Sequence, residues 1–199
     1  SPFFNPKGVV IVGASADPGK LGYFVARNML RSGYAGALHF VNLKGGELFG
    51  RPIHRNAAHV PDPVDLAVLI VPAPVTPAAL KDVAGRGIRA VIISSGGFRE
   101  AGPEGAALES ECLEIAHKYG LRLIGPNCIG LIDNHLPLDT SFVSLPPPPK
   151  GNLALISQSG AVCGLISDWA QEQGVGFSRM LSLGNQADLT ETDMLAGVV

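Results

Sequence analysis

Short, almost wholly apolar runs alternate along this chain with longer stretches in which apolar residues recur at helical spacing. Strands this apolar are covered on both faces, and strands separated by helix-length stretches indicate a parallel α/β sheet. The pattern predicts strands over Gly8–Val12, Ala37–Val41, Leu66–Val71, Ala90–Ser94 and Arg122–Ile124. Between them it predicts helices over Lys20–Arg31, Pro77–Arg86 and Glu104–Tyr119. Gly33, Gly85 and Gly120 stand where those helices end, and each is read as a left-handed cap.

The run Pro146–Pro149 cannot be helix or central strand and favours a stiff extended connector. Behind it the alternation restarts, with a strand over Leu153–Ile156, a helix over Gly160–Glu172 and a strand over Gly176–Leu183. Thr190 and Asp193 have the spacing of a helix cap with an acidic residue three positions in. The chain thus divides into residues 1–145, a proline-rich linker over 146–151, and a second α/β unit opening at 152 and running to 199. One strand–helix–strand and part of a helix cannot close a core. The second unit is therefore expected to be a fragment, or to pack onto something else.

Composition narrows the setting. With 199 residues and 46% hydrophobic content there is ample material for a packed core, and a net charge of −2 leaves no basic footprint for nucleic acid. No apolar run approaches the roughly 20 residues of a membrane span, and the N-terminus lacks the cationic start and apolar core of a signal peptide. Cys112, Cys128 and Cys163 are an odd number without a CxxC pair, so reduced thiols in the cytoplasm are expected, with no metal site.

The chemistry begins at Val9–Gly22, where a buried strand runs through a small-residue turn into a helix. Gly13 permits a tight turn, Ser15 offers a hydroxyl and Lys20 adds charge to the first helical turn, which together suit an anionic pyrophosphate. Any strand–helix turn can be rich in glycine. Its position after the first strand of a parallel sheet favours a nucleotide. The spacing is not GxGxxG, because Ser15 replaces the second glycine. A carboxylate that would accept from the ribose hydroxyls of NAD is missing after the second strand, where His39–Lys44 ends on a cation. Lys44 suits a phosphate on the adenosine ribose, as in NADP or in the 3′-phosphate of coenzyme A, or is simply a solvated lysine. Val71, Pro72, Ala73 and Pro74 end the third strand, either as a plain stop or as an apolar rim for a weakly polar arm.

In order, Val12–Ser15, Val41–Lys44, Val64–Ala73, Ser94–Glu100, Gly125–Gly130, Ser157–Gly160 and Ser182–Asn185 resemble the coenzyme-A-binding, alpha-subunit-like part of the NDP-forming acyl-CoA synthetases. Succinyl-CoA synthetase and ADP-forming acetyl-CoA synthetase represent that superfamily. The resemblance runs from about Phe4 to Val199, with Leu43 where proline often precedes the lysine. It implies a Rossmann-type coenzyme-A-binding domain followed by a truncated flavodoxin-like domain. It further implies that Gly13, Ser15 and Lys20 hold the pyrophosphate, Lys44 the adenosine phosphate, and Val71, Pro72 and Ala73 the pantetheine path. Ser94, Ser95 and Gly96 would lie nearby, with Pro126, Asn127 and Cys128 close to the thiol end. Cys128 is read as a packing residue, since the family uses no cysteine nucleophile.

Ser157, Gln158, Ser159, Gly160 and Ala161 end a strand and start a helix, so first-turn N–H groups point outward with the positive end of the helix dipole behind them. In the resembled family this terminus faces the phosphate of a mobile phosphohistidine, an electrostatic role. A serine-hydrolase elbow is excluded by the absence of GxSxG, and plain capping by Ser157 or Ser159 remains compatible with phosphate binding. None of His39, His54, His59, His117 and His135 fits the family's phosphorylated histidine. His117 falls in a helix, and His54 and His59 fall in an expected polar loop.

The resemblance therefore implies a ligase acting on acyl-CoA, phosphate and ADP through an acyl phosphate, with no catalytic residue of its own in this chain. ADP, ATP and Mg would be handled by a separate ATP-grasp domain or subunit, and an oligomer is expected. Two alternatives stand beside it. One is a coenzyme-A-sensing module attached to a protein-lysine acetyltransferase domain; the other is an NADP-dependent oxidoreductase.

Overall fold

The computed structural model describes residues 2–144 and 147–198. Leu145, Pro146 and Val199 lie outside it, so the first residue of the proline run and the expected 145/146 boundary have no structural account. In chain order the elements are β1 (Gly8–Val12), α1 (Leu21–Arg31), β2 (Ala37–Val41), β3 (Gly46–Leu48), β4 (Arg51–His54), β5 (Leu66–Leu69), α2 (Thr76–Gly85), β6 (Ala90–Ile93), α3 (Pro103–Tyr119) and β7 (Arg122–Ile124). There follow β8 (Leu131–Asp133), β9 (Leu138–Asp139), β10 (Lys150–Ser157), α4 (Gly160–Gln173), β11 (Phe177–Ser182) and α5 (Glu191–Val198).

The first sheet has seven strands in the order β3-β4-β2-β1-β5-β6-β7, parallel apart from the β3–β4 hairpin. Alternate residues feed opposite faces. Val9 and Ile11 join Val25, Ala26 and Met29 of α1, while Val10 and Val12 join Leu80 and Val83 of α2 and Cys112 and Ile115 of α3. Both faces are covered, as the apolar strands require.

The sequence pattern misses the hairpin. Phe49 and Gly50 both have positive φ, 51° and 73°, and Leu48 faces Arg51, which makes a two-residue primed turn. The usual Asn-Gly signal is absent. Two expectations are corrected here. His54 is the last residue of β4 and His59 closes a short 3-10 turn over Ala57–His59, so neither lies in an open polar loop. Gly85 is the last residue of α2, and the left-handed position belongs to Gly87 with φ 95°. Gly120 caps α3 in the left-handed region, and Gly33 follows α1 with φ 81°.

The second sheet runs β10-β11-β8-β9. β10 and β11 are parallel, but β8 pairs antiparallel with β11, Met180 facing Ile132. Strands from both sides of the proline run thus share one sheet, and Lys150 and Gly151 of the expected linker are already strand. The sheet and α4 have a small cluster of their own, Cys163, Ala170, Phe177 and Met180, and the sheet shares the rest of its core with the first one. Leu131, Leu138, Leu181, Leu183, Leu189 and Met194 belong to the same buried cluster as Val9 and Ile11. At the start of α5, Asp193 accepts from the Thr190 amide and hydroxyl at 2.9 and 2.8 Å, which is the predicted cap.

Candidate functional site

β1 lies between β2 and β5, so successive crossovers leave it in opposite directions and open a crevice at the strand C-termini. Gly13 sits there with φ 99°, its amide donating to the Val41 carbonyl at 2.9 Å. A side chain on Gly13 would begin 2.4 Å from the Ile70 carbonyl oxygen, and one on Gly22 would begin 2.0 Å from the Gly13 carbonyl oxygen. Glycine at both places lets the first turn of α1 press against the turn. α1 begins after its cap residue Lys20, without a side-chain cap and without an acidic residue in its first turn, while Asp17 Oδ1 accepts from the Gly19 amide at 2.8 Å just before it. Ser15 Oγ accepts from the Asp17 amide at 3.1 Å, which fixes the turn.

The loop after β2 is tied to this turn. Asn42 donates from Nδ2 to the Ala14 carbonyl at 2.9 Å and accepts at Oδ1 from the Lys44 amide at 3.1 Å. Lys20 and Lys44 are exposed, and among the described residues neither enters an ion pair, whereas Lys81, Arg86, Arg99, Arg122 and Arg179 do. On the other side of β1, Val71 is half-buried, Pro72 is exposed, and Ala73 is buried in a 3-10 turn.

A second group forms where the two sheets meet. Ser94, Asn127 and Cys128 share an open cleft of about 880 Å³ with Gln158, Ser159, Gly160 and Ala161 at the start of α4. Ser95 and Gly96 continue the loop from Ser94, and Pro126 is buried beside Asn127. Ser159 caps α4 by accepting from the Val162 amide at 3.3 Å, and Ser157 Oγ accepts from the Ser159 amide at 3.1 Å. Ser94 is 5% exposed, and its hydroxyl lies beside the Cys128 thiol with no stronger hydrogen-bond partner among the described residues.

Cys128 is buried and hydrogen-bonds the Ile93 carbonyl at 3.4 Å, and burial pushes its thiol up to about 12. It stays a neutral thiol at physiological pH and cannot serve as a thiolate nucleophile. The structure therefore gathers the expected residues into two neighbouring sites along one sheet edge: the rim of β1, β2 and β5, and the cleft at β6, β7 and α4.

A polar network in the cleft wall was not foreseen as a unit. Asn185 donates from Nδ2 to Glu100 at 2.6 Å and to Glu109 at 2.8 Å. Its carbonyl accepts from Arg99, whose guanidinium lies 3.4 Å from the buried Glu109 carboxylate. Glu100 also accepts from the Gly97 and Phe98 amides at 2.6 and 3.1 Å. Partial burial would raise the Glu100 carboxyl, but these donors outweigh it and hold it below the usual carboxylate range. Ser94–Glu100 and Ser182–Asn185 are both distinctive segments of the sequence; only the fold shows that they touch.

Comparison with known proteins places the chain in a family. The CoA binding domain family matches residues 7–134, and the succinyl-CoA ligase like flavodoxin domain matches residues 150–199. The alpha subunit of acetate–CoA ligase [ADP-forming] I from Pyrococcus furiosus is 41% identical over 196 residues, covering 96% of this chain and 42% of that subunit. Acetate–CoA ligase [ADP-forming] I from Archaeoglobus fulgidus is 40% identical over 192 residues, covering 96% of this chain and 28% of that protein. Among solved structures, the dinucleotide forming acetyl-coenzyme A synthetase 1 of Ca. Korarchaeum cryptofilum, in complex with phosphate and ADP, superposes with a TM-score of 0.92 at 34% identity. That match covers 99% of this chain and 42% of that one. The chain spans less than half the length of each of these relatives.

Proposed function

The chain belongs to the CoA binding domain family, and on that premise we propose that it is the coenzyme-A-holding part of an ADP-forming acyl-CoA ligase. The observation that carries the reading is the glycine turn at Gly13 with the exposed Lys20 and Lys44 beside it, neither in an ion pair among the described residues, continued along the strand ends into a cleft lined by Ser94 and the start of α4. A long, phosphorylated nucleotide carrying an uncharged arm matches such a site from end to end.

In this reading Gly13, Ser15, Lys20 and the start of α1 hold the pyrophosphate, and Lys44 holds the phosphate on the adenosine ribose. Val71, Pro72 and Ala73 line the path of the arm. Ser94, Ser95, Gly96, Pro126, Asn127 and the packing residue Cys128 surround its end. Coenzyme A supplies the thiol that carries the acyl group; this chain supplies orientation and charge. The first turn of α4, from Ser157 to Ala161, stabilises a phosphoryl group entering the cleft from the other side. The reaction is then acyl-CoA, phosphate and ADP giving acid, coenzyme A and ATP. The chain contributes no nucleophile, so it is inactive by itself and works in a larger assembly. ADP, ATP and Mg come through an ATP-grasp domain or subunit that this chain does not contain among its described residues. The three unpaired, buried cysteines fit a reducing cytoplasm. The relatives described above are named for CoA ligation, so the acetyltransferase-linked and NADP-dependent readings gain no support from them.

Isothermal titration tests the reading. The 199-residue chain should bind coenzyme A, and Lys44→Ala should weaken coenzyme A more than 3′-dephospho-coenzyme A. Absence of binding to either carrier overturns the function. Equal losses for both overturn the role of Lys44.

A further inference from the structure

Beyond Lys44, we propose that Arg55 is a second cation for the phosphate on the adenosine ribose, and that it sets the preference for the phosphorylated carrier. The inference rests on the coenzyme A reading above and adds to it a residue that no motif of the sequence marks.

The missed β3–β4 hairpin is what brings Arg55 into place. β4 pairs in parallel with β2, Phe40 facing Ile53 and Val41 facing His54, so both strands end at the same rim. Arg55 is the next residue, and the Asn42 amide donates to the His54 carbonyl at 2.9 Å, which locks the two strand ends together. The loop between them is equally fixed, because the Gly45 amide donates to the Asn42 carbonyl at 2.9 Å. Arg55 then lies back across that loop. Its Cγ and Nε are each 3.4 Å from the point where a side chain on Gly45 would begin, directly after Lys44. Gly45 has φ 66° and no side chain, which leaves room for the arginine stem.

The stem is supported by main chain, yet the charge is not satisfied. Among the described residues Arg55 enters no ion pair, while Arg86, Arg99, Arg122 and Arg179 each face a carboxylate. Its stem packs on Gly45, the residue after Lys44, so two exposed cationic residues, neither in an ion pair among the described residues, belong to the loops at the end of β2, where the ribose of a nucleotide lies in sheets of this topology. Two neighbouring cations repel each other unless an anion comes between them. A phosphate monoester carries enough charge for both, and the planar guanidinium can meet two of its oxygens at once. An unphosphorylated ribose offers neither cation an anionic partner.

The test is titration of the 199-residue chain and its Arg55→Ala, Arg55→Gln and Arg55→Lys variants with coenzyme A and with 3′-dephospho-coenzyme A, at low and high salt. Arg55→Ala and Arg55→Gln should weaken coenzyme A about tenfold and leave the dephospho form within about twofold, as expected for one charge-assisted contact. Arg55→Lys should retain part of the preference, and added salt should reduce the preference of the unmutated chain. Unchanged coenzyme A binding in both neutral variants, or equal weakening of both carriers, overturns the role of Arg55 and leaves the wider reading standing. Failure of the unmutated chain to bind either carrier overturns both. Arg55 is exposed, so folding of the variants is not at stake, and circular dichroism verifies it.

Discussion

Asn42 donates its side-chain amide to the Ala14 carbonyl at 2.9 Å and so joins the loop that carries Lys44 to the turn that carries Gly13. The same side chain accepts from the Lys44 amide, so one residue sets the spacing between the Gly13 turn and the Lys44 loop. Asn42→Ala should lower stability by about 1–2 kcal/mol in urea unfolding, the scale of lost part-buried hydrogen bonds. It should also weaken coenzyme A. Asn42→Asp should be at least as harmful, because a carboxylate cannot donate to Ala14.

Asn185 bridges two carboxylates, and only an amide can do so with both hydrogens. Asn185→Asp would put a third carboxylate against Glu100 and Glu109, and should melt below Asn185→Ala, itself destabilised by about 1–3 kcal/mol. Thermal melts of the two variants, compared side by side, decide the order. Equal melting temperatures would remove the bridge from the account.

Glu100 gives that region its acid sensitivity. Its folded carboxyl is held below the usual value, so its contribution is complete above the ordinary carboxylate range and is lost as pH falls through the folded value. Asp139 runs the other way. Burial raises it despite bonds from Ser141 and the nearby Arg27 and Arg31, so its cost grows as pH rises from the ordinary value to the raised one. Glu100→Gln should flatten the acid limb of a stability–pH profile measured by urea unfolding, with Asp139 left in place.

Gly22 has ordinary helical geometry, so its substitution tests contact rather than backbone strain. Gly22→Ala would drive a methyl to 2.0 Å from the Gly13 carbonyl oxygen and force α1 off the turn. A loss of about 1–3 kcal/mol is expected from such overpacking, with a fall in coenzyme A affinity beyond what the stability change explains. Titration at a temperature where the variant stays folded measures the second effect.

Cys128 should resist iodoacetamide in the folded chain at pH 8, because burial pushes its thiol up to about 12. Cys128→Ala should lower stability modestly and retain coenzyme A binding. Rapid modification of Cys128 in the native protein would contradict its packing role.

The parallel sheet was legible because β1, β2, β5, β6 and β7 are apolar on both faces, and helices of ordinary length separate them. β3, β4, β8 and β9 were not. Strands of two to four residues carry too few positions for a period to show, and the turn at Phe49 takes a conformation that its sequence does not announce. The two site regions could be read from turn glycines and a helix start, since each is a local strand-to-helix junction. The Arg99–Glu109–Asn185 network could not, because its members are far apart in sequence and their pairing depends on how the second sheet turns back onto the first. Arg55 was hidden for the same reason, as its place depends on an unforeseen strand.

The antiparallel pairing of Leu131–Asp133 with Arg179–Leu181 has a practical consequence for anyone wishing to transplant the part that matches the CoA binding domain family. A cut at the proline run would strip those three residues of their neighbouring strand and bare Leu131 and Leu138 to water. The transferable piece is therefore not the first half alone. It must bring β11 with it, and with β11 the start of α4 that lines the cleft.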